Sequence, residues 1–62
     1  MNIFGASYQV QYKSGSMWYT QSSSGTEQNA LIRGEALARL NPTKRYRMVL
    51  VENGRKYTVH MF

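Results

Sequence analysis

The sequence contains no cysteine and no aspartate, and it has one proline and one histidine among its 62 residues. No disulfide can therefore stabilise the fold, and no thiolate is available as a metal ligand. A chain of this length forms one small domain, in which the burial of apolar surface barely offsets the entropy lost on folding. We expect stability to come from a small, well-ordered core, with self-association or a partner as additional sources.

Long apolar runs are also missing. The two longest uncharged stretches, residues 1–12 and 14–26, are both interrupted by Gln and Ser, and no segment approaches the ~20 apolar residues of a membrane span. A signal peptide is not indicated either, because the sequence has no charged segment followed by an apolar core. The triplet Asn41-Pro42-Thr43 has proline in the middle and cannot accept a glycan. We therefore expect a soluble cytoplasmic protein without a membrane partner.

Positive charge is concentrated in the C-terminal third. Eight Lys and Arg against three Glu give a formal net charge of +5, and the hydrophobic fraction of 42% is too high for a disordered chain. Residues 1–26 contain a single charged side chain, Lys13. Residues 44–62 hold five cations and one carboxylate: Lys44, Arg45, Arg47, Arg55 and Lys56 against Glu52. Basic surfaces of this kind favour acidic or nucleic-acid partners.

Residues 3–21 have the pattern of a β-hairpin. Apolar side chains share one parity, namely Phe4, Ala6, Tyr8, Val10 and Tyr12, and polar ones share the other, namely Ser7, Gln9, Gln11 and Lys13. Ser14-Gly15 is typical of a turn. A two-residue loop there places Tyr12 opposite Met17 and Val10 opposite Tyr19, with Trp18 on the polar face. A three-residue loop would bury Trp18 instead.

Residues 26–41 favour a helix. Ser24 and Glu27 have the spacing of a capping box, and Thr26 is a competing N-cap. Asn41-Pro42 ends the helix. One helix face is mostly small and apolar and carries Ala30, Leu31, Gly34, Leu37 and Ala38, whereas Ile32, Glu35 and Arg39 point away from it. A face of small residues lets the helix lie close to a sheet.

Residues 45–62 contain the clearest hairpin signal, because Asn53-Gly54 favours a type I′ turn between two alternating strands. The resulting register places Met48 opposite Val59 and His60 opposite Arg47. The predicted core face comprises Tyr46, Met48, Leu50, Tyr57, Val59 and Met61. Together, the elements predict an α+β fold of order β-β-α-β-β, a single domain spanning residues 1–62: a four-stranded antiparallel sheet of two hairpins with one helix on one face.

Catalytic residues are not evident. The three Glu have structural interpretations, since Glu27 lies at the helix start, Glu35 can pair with Arg39, and Glu52 faces Arg55. His60 has no carboxylate placed to orient it, and one His with three scattered Glu offers no metal-ligand spacing. The segment 22–26 precedes a helix but lacks the Gly-Lys-Ser/Thr of a phosphate-binding loop. We predict a non-enzymatic protein without cofactor or metal.

The open face of the sheet is the main candidate site. Its predicted residues combine cations, rings and a valine strip: Lys13, Trp18, Arg45, Arg47, Val49, Val51, Lys56, His60 and Phe62. Cations interleaved with aromatics suit single-stranded nucleic acid, because the cations contact phosphates while bases stack on Trp18 and Phe62. In a structural interpretation, the same cations are solvated side chains that protect edge strands from aggregation.

A protein partner is the alternative hypothesis. The basic C-terminal hairpin would steer encounter with an acidic or apolar surface, and an aromatic and valine patch would anchor the complex. The chain would then be a stand-alone inhibitor or adaptor, for example a phage-encoded anti-defence protein. In size and composition this small, basic, cysteine-free chain resembles the accessory proteins that phages and mobile elements encode, and that resemblance implies only a binding role. A homodimer through the open face or an edge strand is compatible with either function.

Overall fold

The computed structural model describes residues 6–62. It contains four strands and one helix, in the order β-β-α-β-β. The elements are β1 (Ser7–Ser14), β2 (Met17–Ser24), α1 (Glu27–Leu40), β3 (Tyr46–Glu52) and β4 (Arg55–Met61). The predicted first strand begins at residue 3, and positions 3–5, Phe4 among them, lie outside the described residues.

The four strands form one antiparallel sheet with the order β2-β1-β3-β4. The first strand of each hairpin therefore lies inside the sheet, and the two inner strands pair with each other from Ser7–Val51 to Tyr12–Tyr46. Both second strands are edges. The α+β fold predicted from the sequence is confirmed, and the strand order, which neither hairpin pattern contains, comes from the pairing of β1 with β3.

Helix α1 begins and ends where its capping residues lie. The Thr26 hydroxyl accepts a hydrogen bond from the Asn29 backbone N–H at 3.2 Å, so Thr26 is the N-cap. The Ser24 hydroxyl accepts a bond from the Thr26 N–H at 3.3 Å and orients the residue before the helix. At the other end, the backbone N–H and side-chain amide of Asn41 both donate to the Leu37 carbonyl, at 2.9 and 3.1 Å. These bonds satisfy groups that a helix end leaves unpaired.

The core lies between α1 and the two inner strands. Its fully buried side chains are Val10, Ala30, Tyr46 and Met48, each at most 1% exposed. Leu31, Leu37 and Ala38 pack around them as the helix periodicity predicts. Gly34 is buried where the helix approaches the C-terminus, and a Cβ at that position would overlap the Phe62 ring. The small helix face therefore allows close packing, as expected from the sequence.

The first hairpin has its predicted faces but a different register. Ser14 pairs with Met17 and Tyr12 with Tyr19, so the loop is Gly15-Ser16 rather than Ser14-Gly15, and the predicted pairs are wrong by two positions. Gly15, first in this loop, has a positive φ of 64°, which glycine adopts without strain. The shift also stacks the rings of Tyr12 and Tyr19, 5.7 Å apart. Because the error is two positions, the side chains up to Thr20 keep their predicted faces; a β-bulge at Gln21 then shifts the rest of β2, so that Ser22 pairs with Val10.

The second hairpin begins as predicted. Asn53 and Gly54 both have positive φ, 53° and 76°, as a type I′ turn requires. Val51 pairs with Lys56 and Leu50 with Tyr57.

Beyond these pairs, β4 contains a β-bulge at Val59, so that Thr58 pairs with Val49 and His60 with Met48. The predicted Met48–Val59 and Arg47–His60 pairs are therefore wrong. One unpaired residue moves every later side chain of the strand to the opposite face of the sheet. His60 and Phe62 lie on the helix side, and Met61 lies opposite Arg47 on the other side.

Candidate functional site

The open face is the side of the sheet without the helix. By strand register its members come from all four strands: Gln9, Gln11 and Lys13 of β1, Trp18 and Thr20 of β2, Arg47, Val49 and Val51 of β3, and Lys56, Thr58 and Met61 of β4. Trp18 lies opposite Lys13, on the face that the two-residue loop predicts. The alternative in which a three-residue loop buries Trp18 is therefore wrong.

A row of side-chain hydrogen bonds crosses the open face from one edge to the other. The Gln11 side-chain amide donates to Thr20 Oγ1 at 3.2 Å and to Gln9 Oε1 at 3.3 Å, and the Thr20 hydroxyl donates to Gln9 at 3.2 Å. Arg47 Nε donates to Gln11 Oε1 at 2.8 Å, and Arg47 Nη1 donates to Thr58 Oγ1 at 3.3 Å. This polar row orders the face, and Gln11 at its centre is only 4% exposed.

Trp18 lies against the cations of the neighbouring strands. The Arg47 guanidinium carbon is 4.2 Å from the centroid of the indole ring, and the Lys13 ammonium is 6.0 Å from it. Both distances fall within the range of cation–π attraction. The two hydrogen bonds from Arg47 hold the guanidinium over the sheet, and the ring packs on this fixed group. Trp18 is therefore half-buried and pre-positioned rather than free in solvent.

The charge of the open face is entirely positive. Lys13, Arg47 and Lys56 lie on this face by strand register. The Lys13 N–H donates to the Arg45 carbonyl at 3.0 Å, which extends the pairing of β1 with β3 by one residue. Arg45 has the same parity as Arg47 and therefore belongs to the same face. The carboxylates lie elsewhere, because Glu27 and Glu35 are on the helix and Glu52 has the parity of Tyr46. A polyanion approaching this face meets four cations and no acidic side chain.

Three of the nine predicted site residues, Val49, His60 and Phe62, do not contribute to the predicted surface. Val49 is on the open face but only 2% exposed, because this short side chain lies at the centre of the sheet among longer neighbours. Val51, by contrast, lies on the open face and is half-buried, as Trp18 is. The bulge moves His60 and Phe62 to the helix side, where their rings meet edge-to-face at 4.6 Å. The predicted aromatic and valine patch is therefore not assembled.

Sequence reasoning missed the hydrogen-bonding partners of Arg47. Gln9 and Gln11 were recognisable as polar residues on one parity, but nothing in their spacing indicates that Arg47 and Thr20 bond to the same amide. The sequence pattern indicates no functional role for Thr58, and it predicts a core position for Met61, whereas both lie on the open face. The alternation of apolar and polar residues along the strands is the informative signal, because it correctly predicts that Lys13, Trp18, Arg47 and Lys56 share one face.

Within residues 6–62 no three His, Cys, Asp or Glu side chains are grouped closely enough to hold a metal ion. No helix in the same range is long and apolar enough to cross a membrane. Fold and site together define a small α+β domain with a basic, hydrogen-bonded open sheet. Comparison with protein-family models, curated proteins and solved structures found no match for this chain.

Proposed function

We propose that this chain binds single-stranded nucleic acid on the open face of its sheet. The observation that carries the proposal is the position of Trp18, with Arg47 at 4.2 Å and Lys13 at 6.0 Å, on a face whose charged side chains are all cations. A strand of nucleic acid offers phosphates for the cations and bases for stacking on a ring.

The shape of the face favours single strands over duplex. The only helix of residues 6–62 packs on the opposite side, so the open face presents no helix that would enter a major groove. A flat sheet can instead support a splayed strand whose bases lie on its surface, as sheets that bind single-stranded RNA do. Gln9, half-buried on the same face, adds an amide nitrogen that can donate to a base edge, whereas the Gln11 amide is buried and already bonded within the polar row.

The row of side-chain hydrogen bonds across the sheet holds Arg47 in place before a ligand binds. Arg47 already makes two hydrogen bonds, so the conformational entropy of its long side chain is lost on folding rather than on binding. Lys13, Arg45 and Lys56 would supply the other phosphate contacts. With about four cations available, affinity should fall with salt by a log–log slope of roughly −0.7 for each phosphate contacted.

The first test measures binding of a fluorescent single-stranded oligonucleotide by anisotropy, in DNA and RNA versions, over a range of salt. Lys13→Ser and Arg45→Ser should each weaken binding several-fold and make the salt slope shallower by about 0.7. The matched control is Arg39→Ser, which removes the same charge from an exposed position on the helix. The proposal fails if Arg39→Ser weakens binding as much, because net charge alone would then explain the affinity.

A second pair of variants tests stacking. Trp18→Leu keeps an apolar side chain but removes the ring, and should lower the affinity by ~1–3 kcal/mol per stacked base. Trp18→Tyr keeps a ring and should retain most of the binding. Equal affinities for the two variants would contradict a stacking role for position 18. Duplex DNA as competitor should displace the single strand poorly, and preferential binding of duplex would contradict the proposed mode.

A further inference from the structure

A groove separates edge strand β2 from the exposed side of α1. It has a volume of about 540 Å³ and is lined on the strand side by Ser22–Ser24 and on the helix side by Asn29, Ile32, Arg33, Ala36, Leu37 and Leu40. Ile32, Ala36 and Leu40 are four residues apart and form one apolar stripe along the helix. Ile32 and Leu40 are 58% and 77% exposed, so the stripe has no partner among the described residues.

The strand wall of this groove is an open backbone edge. Within residues 6–62, β2 pairs only with β1, which leaves the outward N–H and C=O groups of its other side free. The two edge strands differ: β4 begins with Arg55 and Lys56, whereas β2 has no charged residue and no proline from Met17 to Ser24. Charges and prolines are the usual protection of edges against strand addition. A bulge at Gln21 is the one such device in β2, and Ser22–Ser24 lie beyond it.

Charge decides which partner fits. Arg33 is the single charged side chain lining the groove, and no carboxylate lies beside it. We propose that the groove binds an extended acidic peptide, which adds to β2 along Ser22–Ser24 as a fifth strand. Every second side chain of the peptide would face α1. Apolar residues on that face would pack on the stripe of Ile32, Ala36 and Leu40, and a carboxylate on the same face, two positions from an apolar residue, would pair with Arg33. Strand addition beside a helix supplies both backbone hydrogen bonds and side-chain pockets.

A second copy of this chain fits the groove less well. In a symmetric pairing of two β2 edges, each copy would offer only serine side chains at Ser22–Ser24, which are too small and too polar to cover Ile32 and Leu40. The same pairing would add no carboxylate for either Arg33. The apolar stripe and Arg33 lie on α1, on the other side of the sheet from Lys13, Trp18 and Arg47, so this inference does not depend on nucleic-acid binding.

The test uses a fluorescein-labelled peptide in which Val and Glu occupy every second position in turn, with Thr between them, so that both lie on one face of the strand; the control is the same peptide with Lys in place of Glu, and the two are named the Val/Glu and Val/Lys peptides. We expect the Val/Glu peptide to bind, with amide chemical-shift changes in the protein concentrated at Ser22–Ser24 and along α1. Ile32→Ser and Leu40→Ser, both at exposed positions, should each weaken binding about tenfold or more, consistent with burial of one aliphatic side chain. Lys13→Ser, on the other face of the sheet, should have no effect.

Two further measurements separate this mode from nonspecific attraction. Arg33→Glu should reverse the preference from the Val/Glu to the Val/Lys peptide, whereas Arg39→Glu, outside the groove, should not. A Val/Glu peptide methylated at alternate backbone nitrogens cannot donate to the strand edge and should lose binding. The proposal is overturned if the methylated peptide binds equally well. It is also overturned if shifts appear on the open face instead, or if the Val/Glu peptide produces none at about 1 mM, a concentration that detects even ~4 kcal/mol of binding free energy.

Discussion

The two faces of the sheet are built from different interactions. The helix side is held by apolar packing, with Val10, Tyr46 and Met48 almost completely removed from solvent. The open side is ordered by hydrogen bonds from Gln11 and Arg47 and carries the cations. Packing determines whether the chain folds, whereas the polar row determines how charges and a ring are presented. Substitutions on the two faces should therefore separate stability from binding.

The largest expected effect is in the core. Met48→Ala removes a fully buried side chain and should lower the free energy of unfolding by ~2–5 kcal/mol, close to the whole stability of a domain of this size. The matched open-face variant is Thr58→Ala, which truncates an exposed residue of the neighbouring strand and should cost about 1 kcal/mol or less. Urea denaturation followed by circular dichroism measures both. Similar losses for the two variants would contradict the division between the faces.

A smaller effect is expected at the contact of the helix with the C-terminus. Gly34→Ala places a methyl group on the Phe62 ring and should destabilise by about 1 kcal/mol, because overpacking outweighs the gain in helix propensity. In a Phe62→Ala background the overlap is gone, and the same substitution should stabilise by up to ~1 kcal/mol. A double-mutant cycle by urea denaturation gives the coupling. Equal effects in the two backgrounds would show that the ring is not packed on Gly34.

The smallest effect concerns a buried hydroxyl. Tyr46 is 1% exposed, and its Oη has no hydrogen-bond partner among residues 6–62. Leaving such a group unpaired costs ~1–3 kcal/mol, so Tyr46→Phe should raise stability by about 1 kcal/mol or leave it unchanged. The control is Tyr57→Phe, which removes an exposed hydroxyl and should be neutral. A clear loss of stability for Tyr46→Phe alone would indicate that the hydroxyl is bonded in solution.

Much of this architecture was predictable because local chemistry determines it. Asn53-Gly54 fixes a turn type and with it the first pairs of β3 and β4, and the small face of α1 identifies the side that packs. The sequence allows two positions for the first loop, since Ser14-Gly15 and Gly15-Ser16 are both turn-forming. The stacking of the Tyr12 and Tyr19 rings favours the second. Each of these signals lies within a few residues of the structure it determines.

Nonlocal packing explains the failures. The alternation of Tyr57, Val59 and Met61 continues without a break, so the sequence contains no sign of the bulge that moves His60 and Phe62 to the helix side. The Phe62 ring can pack on Gly34 only when β4 has the bulged register. This contact joins residues that are 28 positions apart in the sequence. The placement of Lys13, Trp18, Arg47 and Lys56 on the open face was correct, whereas their role in binding, and that of Arg45, stays a prediction.

The most direct test of the central claim uses the intrinsic fluorescence of Trp18, the one tryptophan in the chain. The protein is titrated with single-stranded oligonucleotide at low and at high salt. The structure and charge of the open face predict quenching of Trp18 with a shift of its emission at low salt, and a marked loss of affinity at high salt. An emission spectrum that does not change when labelled oligonucleotide is bound, or binding that is insensitive to salt, would contradict recognition by this face.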